Sequence, residues 1–128
     1  MIEQLPPSCI EAEEAILGGI MLDPEAINRV SDRLVESAFY ISAHKDIYQA
    51  ALRLHSQGKP TDLLAVTSWL TDREMLSRIG GKSKLVSLLD RTVSAVNIDA
   101  LAALVMDKYL RRKLLIAGNE ITELACDT

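Results

Sequence analysis

Apolar residues recur along this chain at three- and four-residue spacing. They nowhere alternate in the manner of a strand, so the pattern predicts helices throughout. Ser8 and Glu11, just past Pro6-Pro7, have capping-box spacing and predict a helix over CIEAEEAILGGIML. Gly18 and Gly19 lie inside it. Each costs roughly 1 kcal/mol against alanine in a helix interior, so close approach of another helix is the expected compensation. Asp23-Pro24 starts a short helix running to about Val30. Leu34, Phe39 and Tyr40 are expected to plug the core from an irregular stretch. Ser42 is the expected cap of AHKDIYQAALRLHS, which Gly58 closes and Pro60 ends. Thr61 or Asp62 caps LLAVTSWL, which is expected to end near Leu70. Thr71 and Glu74 have the spacing of a second capping box, for DREML, and Gly80 stops that helix. Residues 82–90 form another short helix with Leu85, Leu88 and Leu89 inward. After RTVSAV, Asn97 caps a much longer one over residues 98–125.

That last helix changes face. At about 100° per residue, Ile98, Leu101, Ala102, Val105 and Tyr109 share one stripe. Met106, Leu110, Leu114, Ala117, Ile121 and Leu124 share another, rotated by roughly a third of a turn, and Leu104 and Leu115 lie off both. Two readings fit: a bent helix with two core contacts, or a helix that leaves the globular part and meets a second surface.

Composition narrows the picture. The chain has 128 residues, about half apolar, with one Trp, one Phe and three Tyr, so a single core is built mainly from aliphatic side chains. A net charge of −4 disfavours autonomous nucleic-acid binding. Cys9 and Cys126, near the two ends, suggest no disulfide framework, and no apolar run approaches a bilayer span.

The candidate chemistry is mostly negative. RIGGKSKL evokes a phosphate-binding loop, but that motif needs a further glycine at position 76, where Leu76 stands, and a preceding strand. Gly80 and Gly81 read instead as a helix end and a turn. His44 and His55 share no ligand spacing with the cysteines. Glu13-Glu14 read as a solvated first turn. The basic cluster Lys108, Arg111, Arg112 and Lys113 is diluted by neighbouring acids and reads as a solvated face, with phosphate contact as the alternative. No catalytic, cofactor-binding or metal-ligating set emerges.

Taken in order, LPPSCIEAEEAILGGIMLDPEAI, AFYISAHKDIYQA, GKPTDLLAVTSWL, LSRIGGKSKLVSLL and SAVNIDALAALVMDKYLRR resemble the amino-terminal domain of DnaB-type replicative DNA helicases, bacterial or plastid. The resemblance implies an all-α fold: a small multi-helix globular head, residues 1–95, followed by a long helix that begins a helical hairpin, residues 96–128. It also implies self-association through hairpins, as dimers within a trimer-of-dimers collar of a hexameric ring. Primase docks on that collar, and a helicase loader is a further candidate partner. ATP and Mg²⁺ would be handled by a motor domain that these residues do not include, so an ATPase activity is not expected of them. Little direct DNA binding, no membrane association, and a place in the bacterial cytoplasm at the nucleoid, or in the plastid stroma, complete the expectation. The interface candidates are Leu104, Leu115, Ile121 and Leu124 for a second hairpin arm, a second protomer or primase. Glu11, Lys84, Leu115 and Ile121 are the candidates for primase itself. The competing expectation is an autonomous helical DNA-binding domain.

Overall fold

Helix α1 (Ile10–Leu22) is apolar on most of its faces and is correspondingly enclosed: Ile16, Leu17, Gly18, Gly19, Ile20 and Met21 are all buried. In the computed structural model, which describes residues 5–127, α1 touches α2 (Ser42–Ser56), α4 (Gly81–Asp90) and α5 (Ile98–Cys126). Helix α3 (Leu63–Asp72) completes the head by packing on α2 and α4. Short 3₁₀ turns at Pro24–Arg29, Glu36–Ala38 and Ser77–Ile79 join the helices, and no strand occurs among the described residues. The all-α expectation therefore stands.

The core is aliphatic with one aromatic nucleus. Phe39 and Tyr48 are fully buried with ring centroids 4.9 Å apart, and the Tyr48 hydroxyl donates to the Leu34 carbonyl at 2.7 Å. Each large apolar side chain enclosed in this way contributes about 1.5–3 kcal/mol. Leu34 and Phe39 plug the core as expected, whereas Tyr40 is more than a third exposed and covers its rim.

The double glycine of α1 does what close packing requires. A Cβ on Gly18 would lie 1.9 Å from Thr92 Oγ1 and 2.6 Å from the Leu88 carbonyl oxygen, both at the end of α4. Gly19 faces Ala95 more loosely, at 3.3 Å. The glycines thus admit α4 and the loop after it.

Several expected caps are replaced. Helix α1 begins behind Cys9, whose carbonyl accepts from the Glu13 amide, so Ser8 lies one residue outside and forms no capping box with Glu11. Asp23 caps Pro24–Arg29 as expected, but the segment is a 3₁₀ turn. Asp62 caps α3 through the Ala65 amide, while the Thr61 hydroxyl is buried and donates to the Ile20 carbonyl near the end of α1. The expected Thr71–Glu74 box does not form. Thr71 sits inside α3, its hydroxyl bonded to the Thr67 carbonyl, and α3 runs on to Asp72. Glu74 adopts the left-handed region (φ 56°), and the Met75 amide closes back on the Leu70 carbonyl. This is a helix stop rather than a start. Ser42 does not cap α2 either; it is the first helical residue behind Ile41.

Candidate protein-interaction surface

The largest departure from the sequence reading lies at the start of α2. Glu13, expected on a solvated turn, is 1% exposed. Its carboxylate accepts from the Tyr40 amide at 2.7 Å, the Ile41 amide at 3.3 Å and His44 Nδ1 at 2.8 Å. A carboxylate from α1 therefore satisfies the amides leading into α2, while the first-turn amides of His44 and Lys45 go to the Ile41 carbonyl and not to Ser42. The same stripe of α1 carries Ile16, Leu17 and Ile20, so the position of Glu13 on an otherwise apolar face was the available signal.

On the other flank of α1, Glu14 reaches α4. Its Oε2 lies 3.3 Å from Lys84 Nζ and 3.1 Å from Arg91 Nη2. Burial opposes ionisation of Glu14, but the hydrogen bonds and charges of Lys84 and Arg91 outweigh it and hold the carboxyl below its usual range. Lys84, a candidate primase contact, is thus half-buried and engaged within the chain. Glu11, one turn before Glu14, is exposed and lines a groove of about 490 Å³ with Arg91, Val93 and Val96. Glu11 and Lys84 consequently share one side of the head.

Helix α5 has a held half and a free half. Its start is pinned by Arg29, which donates to the Val96 carbonyl at 2.9 Å and pairs with Asp99 at 2.6 Å. Hydrogen bonding to Arg29 lowers the Asp99 pKa. Ile98, Ala102 and Val105 are buried in the head, and Met106 and Tyr109 lie half-buried against it. Two members of the basic cluster are engaged within the chain. Arg111 pairs with Asp107 one turn earlier, at 2.9 Å. Arg112 donates to the Pro7 carbonyl at 2.8 Å and the Ala38 carbonyl at 2.6 Å, and its guanidinium lies over the rings of Tyr40 and Tyr109. Arg112 is a structural residue that composition and spacing did not single out from its neighbours.

Beyond Arg112 every described residue of α5 is exposed. Leu110, Leu114, Leu115, Ile116, Ile121 and Leu124 are 50–74% exposed, and Leu104 is 38% exposed. This is a run of large apolar side chains in water on one projecting helix, the kind of surface that interaction sites use. Leu110, Leu114, Ala117, Ile121 and Leu124 form one stripe, and Leu104 and Leu115 lie together about a third of a turn away.

RIGGKSKL has no phosphate cradle. The Gly80 and Gly81 amides donate to the Ser77 and Leu76 carbonyls and close the Ser77–Ile79 turn, and Gly80 is left-handed (φ 105°). Two of the amides such a loop would aim at phosphate are thus already used. No cluster of potential metal ligands occurs among the described residues, and no helix there is long and apolar enough to cross a membrane.

The family model for the DnaB-like helicase N terminal domain matches residues 5–107. The chain is 75% identical over 125 residues to the replicative DNA helicase DnaB of Nostoc sp., covering 98% of this chain and 14% of that protein. It is 60% identical over 124 residues to the replicative DNA helicase DnaB of Synechocystis sp., covering 97% of this chain and 14% of that protein. The chain therefore spans about one seventh of the length of these two relatives. Among solved structures, the N-terminal domain of DnaB helicase from Mycobacterium tuberculosis superposes with a TM-score of 0.89 at 37% identity, covering 93% of this chain and 85% of that one. The corresponding domain from Helicobacter pylori, described with its interactions with primase, superposes with a TM-score of 0.76 at 26% identity, covering 91% and 90%.

Proposed function

The chain belongs to the DnaB-like helicase amino-terminal domain family, and from that premise we propose that it is an assembly and partner-docking module of a hexameric replicative DNA helicase. The observation that carries this reading is the free half of α5, whose large apolar side chains face water. Residues 1–95 then act as the head and residues 96–128 as the first arm of a helical hairpin. The stripe through Leu110, Leu114, Ile121 and Leu124 is suited to a second arm or a second protomer, in dimers that build a trimer-of-dimers collar. Leu104 and Leu115 belong to the second side of the same helix.

Primase is the proposed docking partner, and the description of the Helicobacter pylori domain supports it by analogy. Glu11 and Lys84 on the head, with Leu115 and Ile121 on the arm, are the proposed contacts. A helicase loader is a further proposed partner. ATP and Mg²⁺ belong, on this reading, to a motor domain outside residues 1–128, and the parent acts at the replication fork in the bacterial cytoplasm or the plastid stroma. The autonomous DNA-binding alternative is weakened, because two of the four cations of the basic cluster, Arg111 and Arg112, are engaged within the chain.

Sedimentation equilibrium of this chain beside one extended by about 40 residues, room for a second helical arm, tests the assembly reading. The extended chain is expected to associate more tightly, with Ile121→Asp reversing the gain. An oligomeric state unaffected by either change would sink it. Docking is tested by titrating the carboxy-terminal domain of primase. Lys84→Glu is expected to weaken binding, and unchanged affinity would remove Lys84 from the contact.

A further inference from the structure

Arg112 stands where the held half of α5 gives way to the free half. It is half-buried, and no carboxylate pairs with it among the described residues. Its guanidinium joins three separate parts of the chain. One nitrogen donates to the Pro7 carbonyl ahead of α1, another to the Ala38 carbonyl ahead of α2, and the group itself is carried by α5. Tyr40 from the head and Tyr109 from α5 present their rings to it at 5.4 and 5.8 Å. The planar fork suits this geometry, because two donors in fixed relation can hold two carbonyls at once while the flat faces take the rings. A lysine at the same place offers one compact charge with rotatable donors, no fixed fork and no flat faces for the rings.

The position gives the contact leverage. Apolar packing on the head ends with Val105, Met106 and Tyr109, and Lys113 to Cys126 extend past Arg112 with no support from the head. That free stretch is about 21 Å long at ~1.5 Å per residue. Crossing angles of packed helix pairs scatter by about 15–20° around their preferred classes, so packing by itself leaves an angle of that range open. A tilt of that size about the Val105 seam, about 31 Å from Cys126 at ~1.5 Å per residue, moves the tip by about 8–11 Å.

We infer that Arg112 is the positioning residue of the α5 arm, a two-carbonyl clamp that sets the arm's angle to the head and couples it to the segment at Pro7. Its structural part stands on the geometry above. Its consequence for assembly rests on the proposed reading of the arm as an association surface. An arm whose angle wanders presents Leu114, Ile121 and Leu124 in a range of directions, and a symmetric pairing needs one.

The experiment measures spin-label distances in the 128-residue chain between the exposed native Cys126 and Ser68→Cys on α3, in a Cys9→Ser background. The parent is expected to give one narrow distribution. Arg112→Ala is expected to shift or broaden it by about 8 Å, with the helical circular dichroism retained, and Arg112→Lys to fall between the two. An unchanged distribution in both variants overturns the proposal. Should Arg112→Ala fail to fold, Arg112→Lys decides alone: a shift or broadening supports the clamp and a parental distribution refutes it. Sedimentation of the extended chain carrying Arg112→Lys separates the two readings. A moved arm with unchanged association would leave the clamp standing and remove its part in assembly. A parent that never associates would defeat the assembly reading while the distance measurement still judged the clamp.

Discussion

Adding one methyl group to Gly18 sets two known effects against each other. Replacing a helix-interior glycine by alanine returns about 1 kcal/mol of helix propensity. The new Cβ, however, would sit 1.9 Å from Thr92 Oγ1 and 2.6 Å from the Leu88 carbonyl oxygen. The hydroxyl is held on that same carbonyl at 2.8 Å, and the carbonyl is backbone near the end of α4, so neither yields by a simple rotation. Overpacking of this kind costs about 1–3 kcal/mol, and two obstructions including backbone place it at the upper end. Gly18→Ala is therefore expected to destabilise by about 2 kcal/mol net, which in a chain of this length lowers the melting temperature by about 6–10 °C. The neighbouring Gly19→Ala meets only Ala95 Cβ at 3.3 Å, and its two effects should cancel to within about 0.5 kcal/mol. Urea and thermal unfolding followed by circular dichroism measure both. Thr92→Ala added to Gly18→Ala removes the hydroxyl but leaves the Leu88 carbonyl, so less than half the loss should return. A Gly18→Ala variant as stable as the parent, or one less damaged than Gly19→Ala, would refute the close-approach argument.

Two further expectations concern the carboxylates of α1. Glu13→Ala strands two part-buried amides and the buried His44 Nδ1 and should cost about 2–4 kcal/mol. Glu13→Gln keeps the shape with one acceptor and should cost about half as much by urea midpoint; equal losses would show that acceptor capacity is not what matters. Glu14 has a folded pKa below its unfolded value near 4.5, so its pairing with Lys84 and Arg91 stabilises the fold above that pH and is lost as pH falls through the folded value. The stability difference between the parent and Glu14→Gln should accordingly be largest at neutral pH and close on acidification. A difference independent of pH would contradict the ion-pair assignment.

The sequence by itself determined what short-range chemistry determines. Helical periodicity, the Asp23-Pro24 and Asp62 starts, the left-handed stops at Gly58 and Gly80, and the need for something to approach Gly18 were all legible, because each depends on neighbours within a turn or two. So was the apolar surplus of α5, since the head-facing stripe leaves Leu114, Ile121 and Leu124 without a partner. The resemblance to a family likewise rested on local motifs in order. What only the tertiary structure decided was which groups meet across long separations in the chain. Glu13 is the acceptor for the amides ahead of α2 because α1 lies beside its start, and Thr61 serves the end of α1 instead of the start of α3. Thr71 and Glu74 have capping-box spacing but end a helix, because α3 continues two residues past Leu70 and Glu74 takes the left-handed turn. Among four adjacent cations only Arg112 finds two backbone carbonyls, because Pro7 and Ala38 converge beside α5. Periodicity specifies the face a residue occupies; the acceptor waiting there is set by packing between helices distant in sequence.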